Sequence, residues 1–195
     1  MGNDAIIRKL GEVAEIRMGY PFRGAIPEVP GGSVRIIQIR DVTRVGLNNC
    51  DDLLTTEVEG RKEPDWVLDQ DVLFVARGAH AYSALVTRPP ARTVCSQHIY
   101  VIRVKAPDRL LPAFVAWQLN QVPAQRYLRQ SAEGSHQLSI RRAVLEMTEI
   151  RIPPIELQSA MVNLMRAANA EHDTFQALIK NRETELAILA ARLLT

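Results

Sequence analysis

Cysteine is scarce in this 195-residue chain, which holds only Cys50 and Cys95. Two thiols so far apart, with no others beside them, exclude a disulfide framework and a zinc finger; they read as reduced, buried residues. Aromatic side chains make up 5% of the sequence, and the net charge of +2 gives no reason on its own to expect a polyanionic partner. No apolar run approaches the ~20 residues that a membrane span requires. The start, MGNDAIIRKLGE, lacks the apolar core of a signal peptide, so the cytoplasm is the expected location.

Catalytic signatures are missing as well. There is no GxxxxGK[ST] phosphate loop, no GxSxG elbow, no HExxH and no glycine-rich dinucleotide fingerprint. His80, His98, His136 and His172 show no metal-ligand spacing, so neither a metal nor a cofactor is expected. Asp51-Asp52 and Asp69/Asp71 read as solvated turn carboxylates. In TVCSQHIY, a single strand would send Cys95 and His98 to opposite faces, which argues against a thiol–imidazole pair.

What is present is a globular composition: 47% hydrophobic and 24% charged. The near-neutral charge conceals an uneven distribution. Residues 1–71 hold 9 Lys+Arg and 13 Asp+Glu; residues 143–195 hold 5 and 7. Between them, residues 72–142 carry 10 basic side chains, nine of them Arg, against only Asp108 and Glu133. A basic middle between acidic ends suggests a polyanion on one face, and Arg suits bidentate contact with phosphate and guanine. A solvated surface neutralised from elsewhere in the fold would read the same way.

Strands are expected at Val13–Met18, Val34–Ile39, Val72–Ala76, Ala84–Thr87, Ile99–Val104 and Glu149–Ile152. Between the first two lies YPFRGAIPEVPGG, a loop punctuated by proline and glycine. Leu111–Asn120 shows helical periodicity, with Leu111, Phe114, Val115 and Leu119 on one face. Pro123 opens a second short helix to Gln130, and residues 138–147 read as a third with Ser139 as N-cap. Tyr20, Phe22, Trp66 and Trp117 are expected to pack. The class is α+β: a mixed α/β domain, residues 1–152, followed by a long helical segment, residues 153–195.

That last segment has no Pro or Gly from Ile155 to Leu194, enough for a helix ~60 Å long. Met165, His172, Ile179, Leu186 and Leu193 recur at one heptad position. Met161, Ala168, Phe175, Arg182 and Leu189 fill its partner position, giving a coiled-coil seam with polar defects at His172 and Arg182. A second copy of the chain is the simplest supplier of the facing helix; an amphipathic helix folded back on its own domain is the alternative.

The order of segments resembles the specificity (S) subunit of type I restriction-modification systems, and one half of that subunit in particular. LGEVAEIRMGYPFRG (Leu10 to Gly24) is similar to the entry segment of its target recognition domain, and DVLFVARGA (Asp71 to Ala79) to its "GDVLxxxRG" strand, with Gln70 where glycine is usual. PAFVAWQLNQVPAQRYL (Pro112 to Leu128) is similar to its paired helices. GSHQLSI (Gly134 to Ile140) resembles the turn before its last short helix, and IPPIELQ (Ile152 to Gln158) the "IPxPPxxEQ" junction before its long helix. The resemblance implies a target recognition domain with a long C-terminal coiled-coil helix. It also implies recognition of a bipartite site in double-stranded DNA, with no catalysis in this chain. Methylation would belong to a partner modification (methyltransferase) subunit and cleavage to a restriction subunit. With one recognition domain instead of two, a homodimer would restore the two-domain form and read an interrupted palindrome.

Positioning on phosphates and reading base edges call for different side chains. Arg88, Arg92, Arg141 and Arg142 are the candidates for phosphate, the last two near a helix start whose amides would assist the same anion. Arg23, Arg77, His80, Tyr82, Gln97, His136 and Gln137 are the candidates for bases, and Ser135 joins them because it lies in a family-like motif. The alternative reading, from another class, is a coiled-coil adaptor whose α/β head binds protein without sequence-specific DNA binding. A small hydrolase with an unrecognised site is the third.

Overall fold

The structure, a computed structural model, describes residues 5–58, 63–133 and 138–194. The chain divides into two compact units, Met1–Ser159 and Ala160–Thr195. In order along the chain the elements are β1 (Ile6–Lys9), α1 (Leu10–Val13), β2 (Ala14–Met18), β3 (Val34–Ile37), β4 (Val42–Thr43), β5 (Gly46–Leu47), β6 (Leu54–Thr56), β7 (Val72–Val75), β8 (Arg77–Gly78), β9 (Tyr82–Leu85), β10 (Thr93–Cys95) and β11 (Ile99–Val104). Then come α2 (Pro112–Leu119), α3 (Val122–Gln130), β12 (Leu138–Ser139), α4 (Arg142–Glu146), β13 (Glu149–Ile152) and α5 (Ile155–Leu193). This is the mixed α+β architecture with a long C-terminal helix that the sequence predicts.

The first unit is built on a four-stranded antiparallel sheet ordered β2-β11-β7-β9. All four residues of β7, VLFV, are buried, because the sheet is covered on both faces and period-two alternation has nothing to alternate with. On one face Leu73, Val75, Ala84, Ile99 and Val101 pack with Ile37 of β3 and Cys95 of β10. Those two strands run parallel in a second sheet of three, ordered β10-β3-β6. The far side of that sheet presents Val34, Ile36 and Val94 to Tyr20, Phe22, Ile26 and Trp66. Three of the four aromatic residues expected to pack therefore do so.

Helix α2 lies on the other face of the large sheet, where Ser83 pairs with Phe74 and its Oγ donates to the Ala116 carbonyl (2.7 Å). The sequence predicts one apolar face for this helix, yet Pro112, Ala113, Phe114, Val115, Ala116 and Leu119 are all buried. It is enclosed by the sheet and by α3, so it is apolar nearly all round. Trp117 is half-buried with its ring stacked on Phe114 at 5.3 Å.

Several predicted boundaries move. A helical turn, Leu10–Val13, occupies the start of the expected first strand, and Leu10 is fully buried there. Tyr82 opens β9, two residues before the expected start, because its partner Val75 extends the ladder. Ser139 belongs to β12 and is not a helix cap; α4 begins three residues later with Arg141 at its cap position and no side-chain cap bond. Unforeseen in the sequence, β1 pairs antiparallel with β13 and ties the N-terminal strand to the end of the domain.

Two further details hold the unit together. Gly19 leaves β2 so close to the second sheet that a Cβ would sit 2.1 Å from the Ser96 carbonyl oxygen, a position only glycine fills. Gln158, fully buried, accepts from the Leu111 amide (2.9 Å) and donates to the Arg109 and Pro153 carbonyls (2.9 and 2.8 Å). That satisfies backbone groups which burial would otherwise leave costly.

Candidate nucleic-acid interface

The register of the large sheet gathers several loops at one end. Met18 pairs with Tyr100, and Val75 pairs with both Ile99 and Tyr82, so β2 and β7 finish where β11 and β9 begin. The loop that carries Arg23 leaves through Gly19 and Tyr20, which donate to the carbonyls of Ile99 and Cys95 (2.9 and 2.7 Å). Gln97 precedes β11. Arg77 and His80 lie in the six residues between β7 and β9. All four side chains are exposed.

A second ribbon braces this end. The Ala76 amide donates to the His98 carbonyl (3.1 Å), and the Ala76 carbonyl accepts from Ile140 (2.9 Å). Beyond it Arg77 pairs with Ser139 and Gly78 with Leu138. Gly78 has φ +141°, in the region that favours glycine, and this accounts physically for the Arg-Gly pair in the family-like segment. Arg77, His80, Gln97 and Arg141 thus leave one end of one sheet, although 64 positions separate the first from the last in sequence. Arg23 lies further along its loop, between Phe22 and Ile26, which pack on the second sheet. Ser135, His136 and Gln137 lie outside the described residues.

The remaining candidates fall elsewhere. Arg88 follows the far end of β9, where its amide donates to Asp69 Oδ1 (2.7 Å). Arg92 precedes β10 on that same far side, its guanidinium 5.4 Å from the centre of the Trp66 ring. Both have positive φ, +48° and +55°. They do not join the cluster around Arg77. Tyr82 is half-buried, and its hydroxyl donates to the Val42 carbonyl (2.8 Å); burial pushes the phenol's pKa upward. That hydroxyl serves the fold. Arg141 and Arg142 are exposed but ion-paired, with Glu133 at 3.3 Å and Glu146 at 2.7 Å. The expected assistance from helix amides is withdrawn, because α4 has only five residues and Ser139 does not cap it.

Sequence reasoning missed three arginines. Arg44, Arg126 and Arg129 line a concavity of about 410 Å³ together with Asn120, Val122, Gln125 and Gln130. The spacing of Val122, Arg126, Arg129 and Gln130 marks one helical face and is visible in the sequence. Arg44 joins them only because the β4–β5 hairpin brings it there.

Cys95 and His98 do not share a strand: β10 ends at Cys95, β11 starts at Ile99, and a turn separates them. Burial, with the Asp71 carboxylate adding to it, pushes the Cys95 thiol far above its ordinary pKa, so it is no nucleophile. Among the described residues no group of three or more His, Cys, Asp or Glu is placed to hold a metal ion. Nor, among them, is any helix long and apolar enough to cross a membrane.

Comparison with known structures agrees with this architecture. The S subunit of a type I restriction-modification system from M. genitalium superposes with a TM-score of 0.61 at 16% identity, over 92% of this chain and 43% of that one. A chain from a study of complex assembly and conformational transition of the type I R-M system gives 0.68 at 16% identity, over 97% and 44%. The HsdS subunit of Thermoanaerobacter tengcongensis gives 0.56 at 17% identity, over 88% and 38%. The chain therefore spans less than half the length of the solved structures it resembles. No curated protein sequence is significantly similar to it. The family model described as the type I restriction modification DNA specificity domain matches residues 4–182. With that match over most of its length, and with the fold of S subunits, the chain belongs to the type I restriction-modification DNA specificity domain family.

Proposed function

We propose that this chain is a DNA sequence-recognition subunit of a type I restriction-modification complex, and that residues 1–152 form its target recognition domain. The observation that carries the reading is that Arg77, His80 and Gln97, all exposed, lie at one end of one sheet, with Arg23 proposed to join them from the loop that leaves β2 at that end. Planar and forked donors presented together suit the edges of base pairs in a groove. Ser135, His136 and Gln137 are proposed as further base contacts from the sequence alone, and Arg141, at the same end of the sheet, as a phosphate contact. The chain performs no chemistry in this proposal. It brings a methyltransferase subunit, and within the full complex a restriction subunit, to the chosen sequence.

Residues 153–195 are the proposed dimerisation and spacing element. Phe175, Ile179, Leu186, Leu189 and Leu193 of the expected seam are exposed, as are Leu178 and Ile188 beside it. Apolar side chains in that number favour a facing helix, and a second copy supplies one. Two recognition domains would then read an interrupted palindrome.

Selection from a pool of random duplexes, followed by sequencing, tests the function. The expected result is enrichment of a bipartite motif with related half-sites. Recovery of no motif, with or without the methyltransferase subunit, would overturn it. Binding that is insensitive to salt would favour the coiled-coil protein adaptor, because phosphate contacts lose affinity steeply as salt rises.

A further inference from the structure

Three guanidinium groups share one concavity without a carboxylate. Arg126 and Arg129 sit three residues apart on the exposed face of α3, and Arg44 faces them from the turn between β4 and β5. No acidic residue lines the space, and none of the three has an ion-pair partner among the described residues. Like charges at this helical spacing repel, a cost to stability that a bound anion would offset. Elsewhere in the first unit, Arg17, Arg103, Arg141 and Arg142 are each matched by a nearby carboxylate, while Arg77 has none among the described residues. What marks this site is three such groups around one concavity.

The scaffold under the concavity is firm. Asn120 Oδ1 accepts from the Ser83 amide (2.9 Å) while its Nδ2 donates to the Ser83 carbonyl (2.8 Å), fastening the α2–α3 junction to β9. Gln125, nearly fully buried, donates to the Leu119 carbonyl (2.7 Å). The Tyr82 hydroxyl bonds to Val42, the first residue of β4, and so holds the hairpin of Arg44 against the same strand. The amides of Asn120 and Gln125 are thus spent on the backbone, and the donors left facing the space are the three arginines and Gln130. This concavity flanks β9, the edge strand whose first residue closes the loop bearing Arg77 and His80.

We infer that Arg44, Arg126 and Arg129 form a phosphodiester-binding site that grips the DNA backbone beside the bases read by the Arg77 end of the sheet. The inference rests on the proposed DNA-recognition function and assigns to this face the positioning contacts, which carry affinity and register but no sequence information. Arginine in a concave, carboxylate-free setting matches the fork of donors to phosphate oxygens.

The test compares the full-length chain with the Arg126→Ala/Arg129→Ala variant on a selected duplex and a random duplex across a salt series. Both affinities are expected to fall by the same factor, about tenfold or more at low salt, with selectivity retained. The slope of log affinity against log salt becomes shallower by about one for each phosphate that the variant no longer neutralises. Arg44→Ala shifts both in the same direction, and Arg126→Lys/Arg129→Lys keeps most of the slope because the charges remain. Unfolding temperatures stay at or above the parent value, since repulsion is relieved. If the parent selects a motif and the variant matches it in affinity and slope, the phosphate site is wrong while DNA recognition stands. A loss confined to the selected duplex would make the pocket a base reader and overturn the inference as well. If the parent shows no salt-dependent duplex binding, both fail together.

Discussion

Arg77 and Ser139 stand opposite each other in a two-residue antiparallel ribbon, and this pairing presents the Arg77 guanidinium to solvent at the end of the large sheet. Backbone pairing fixes the position while the side chain takes no part in an ion pair among the described residues. Arg77→Ala should therefore cost DNA affinity by about 1–3 kcal/mol and relax selectivity at a single base position, as expected for a bidentate base contact. Thermal stability should change by less than about 0.5 kcal/mol, the usual range for an exposed substitution. Binding to the selected duplex and to its single-base variants is the measurement. A uniform loss across all sequences would make Arg77 a phosphate contact instead.

Asp71, expected as a solvated turn carboxylate, is instead buried against Arg103 and makes the opposite case, a pair kept for structure. Two guanidinium nitrogens meet the Asp71 oxygens at 2.8 and 2.7 Å, the carboxylate is 1% exposed, and the Leu68 amide donates to it as well (2.8 Å). Asp71→Asn removes the charge, keeps the shape and leaves Arg103 uncompensated. We expect a loss of about 2–3 kcal/mol, the low end for a broken buried pair because Arg103 keeps some solvent. For a domain of this size that corresponds to a melting temperature lower by roughly 5–10 °C. The motif recovered from random duplexes should be unchanged, and a double-mutant cycle with Arg103→Gln reads the coupling directly.

Gln70 occupies the position before that aspartate with φ +67°, a left-handed conformation that burdens any side chain. Glycine is usual at this place in the resembling segments, and the backbone explains why. Gln70→Gly should stabilise the chain by up to about 1 kcal/mol, relieved strain outweighing the added freedom of the unfolded state. A melting temperature that falls would show that the glutamine side chain contributes more than its conformation costs.

Much of this architecture is legible in the sequence. Ile99–Val104 and Glu149–Ile152 match their predicted spans because β-branched runs between turn signals leave little choice. The long helix is legible from the absence of Pro and Gly alone. What the sequence conceals is assembly. Arg88 and Arg77 sit eleven residues apart and share the same composition signal, yet the antiparallel ladder of β7 with β9 sends them to opposite ends of the sheet. Tyr82 has the chemistry of a base reader, but its hydroxyl is committed to the Val42 carbonyl. Arg44 and Arg126 lie 82 positions apart and meet only through a two-residue hairpin, a length too short to leave a periodic trace.

The proposed dimer makes its own demand on the helix. Phe175 and Ile179 are 56% and 58% exposed, and Leu186 is 58% exposed, one turn beyond Arg182 on the same seam. Glutamate at such positions costs an isolated helix little, since it is a good helix former and already meets water there. In a paired helix it would place like charges and buried carboxylates at the centre of the interface. Phe175→Glu/Ile179→Glu in the full chain should therefore convert a dimer into a monomer in analytical ultracentrifugation while leaving the helical circular dichroism of a folded head. His172→Leu, which removes one polar defect from the seam, should act the other way and tighten self-association. A parent chain that sediments as a monomer at every accessible concentration would remove the homodimer, and with it the expectation of an interrupted palindrome. A glutamate variant that remains dimeric would instead move the interface onto the head and leave the helix free for another partner.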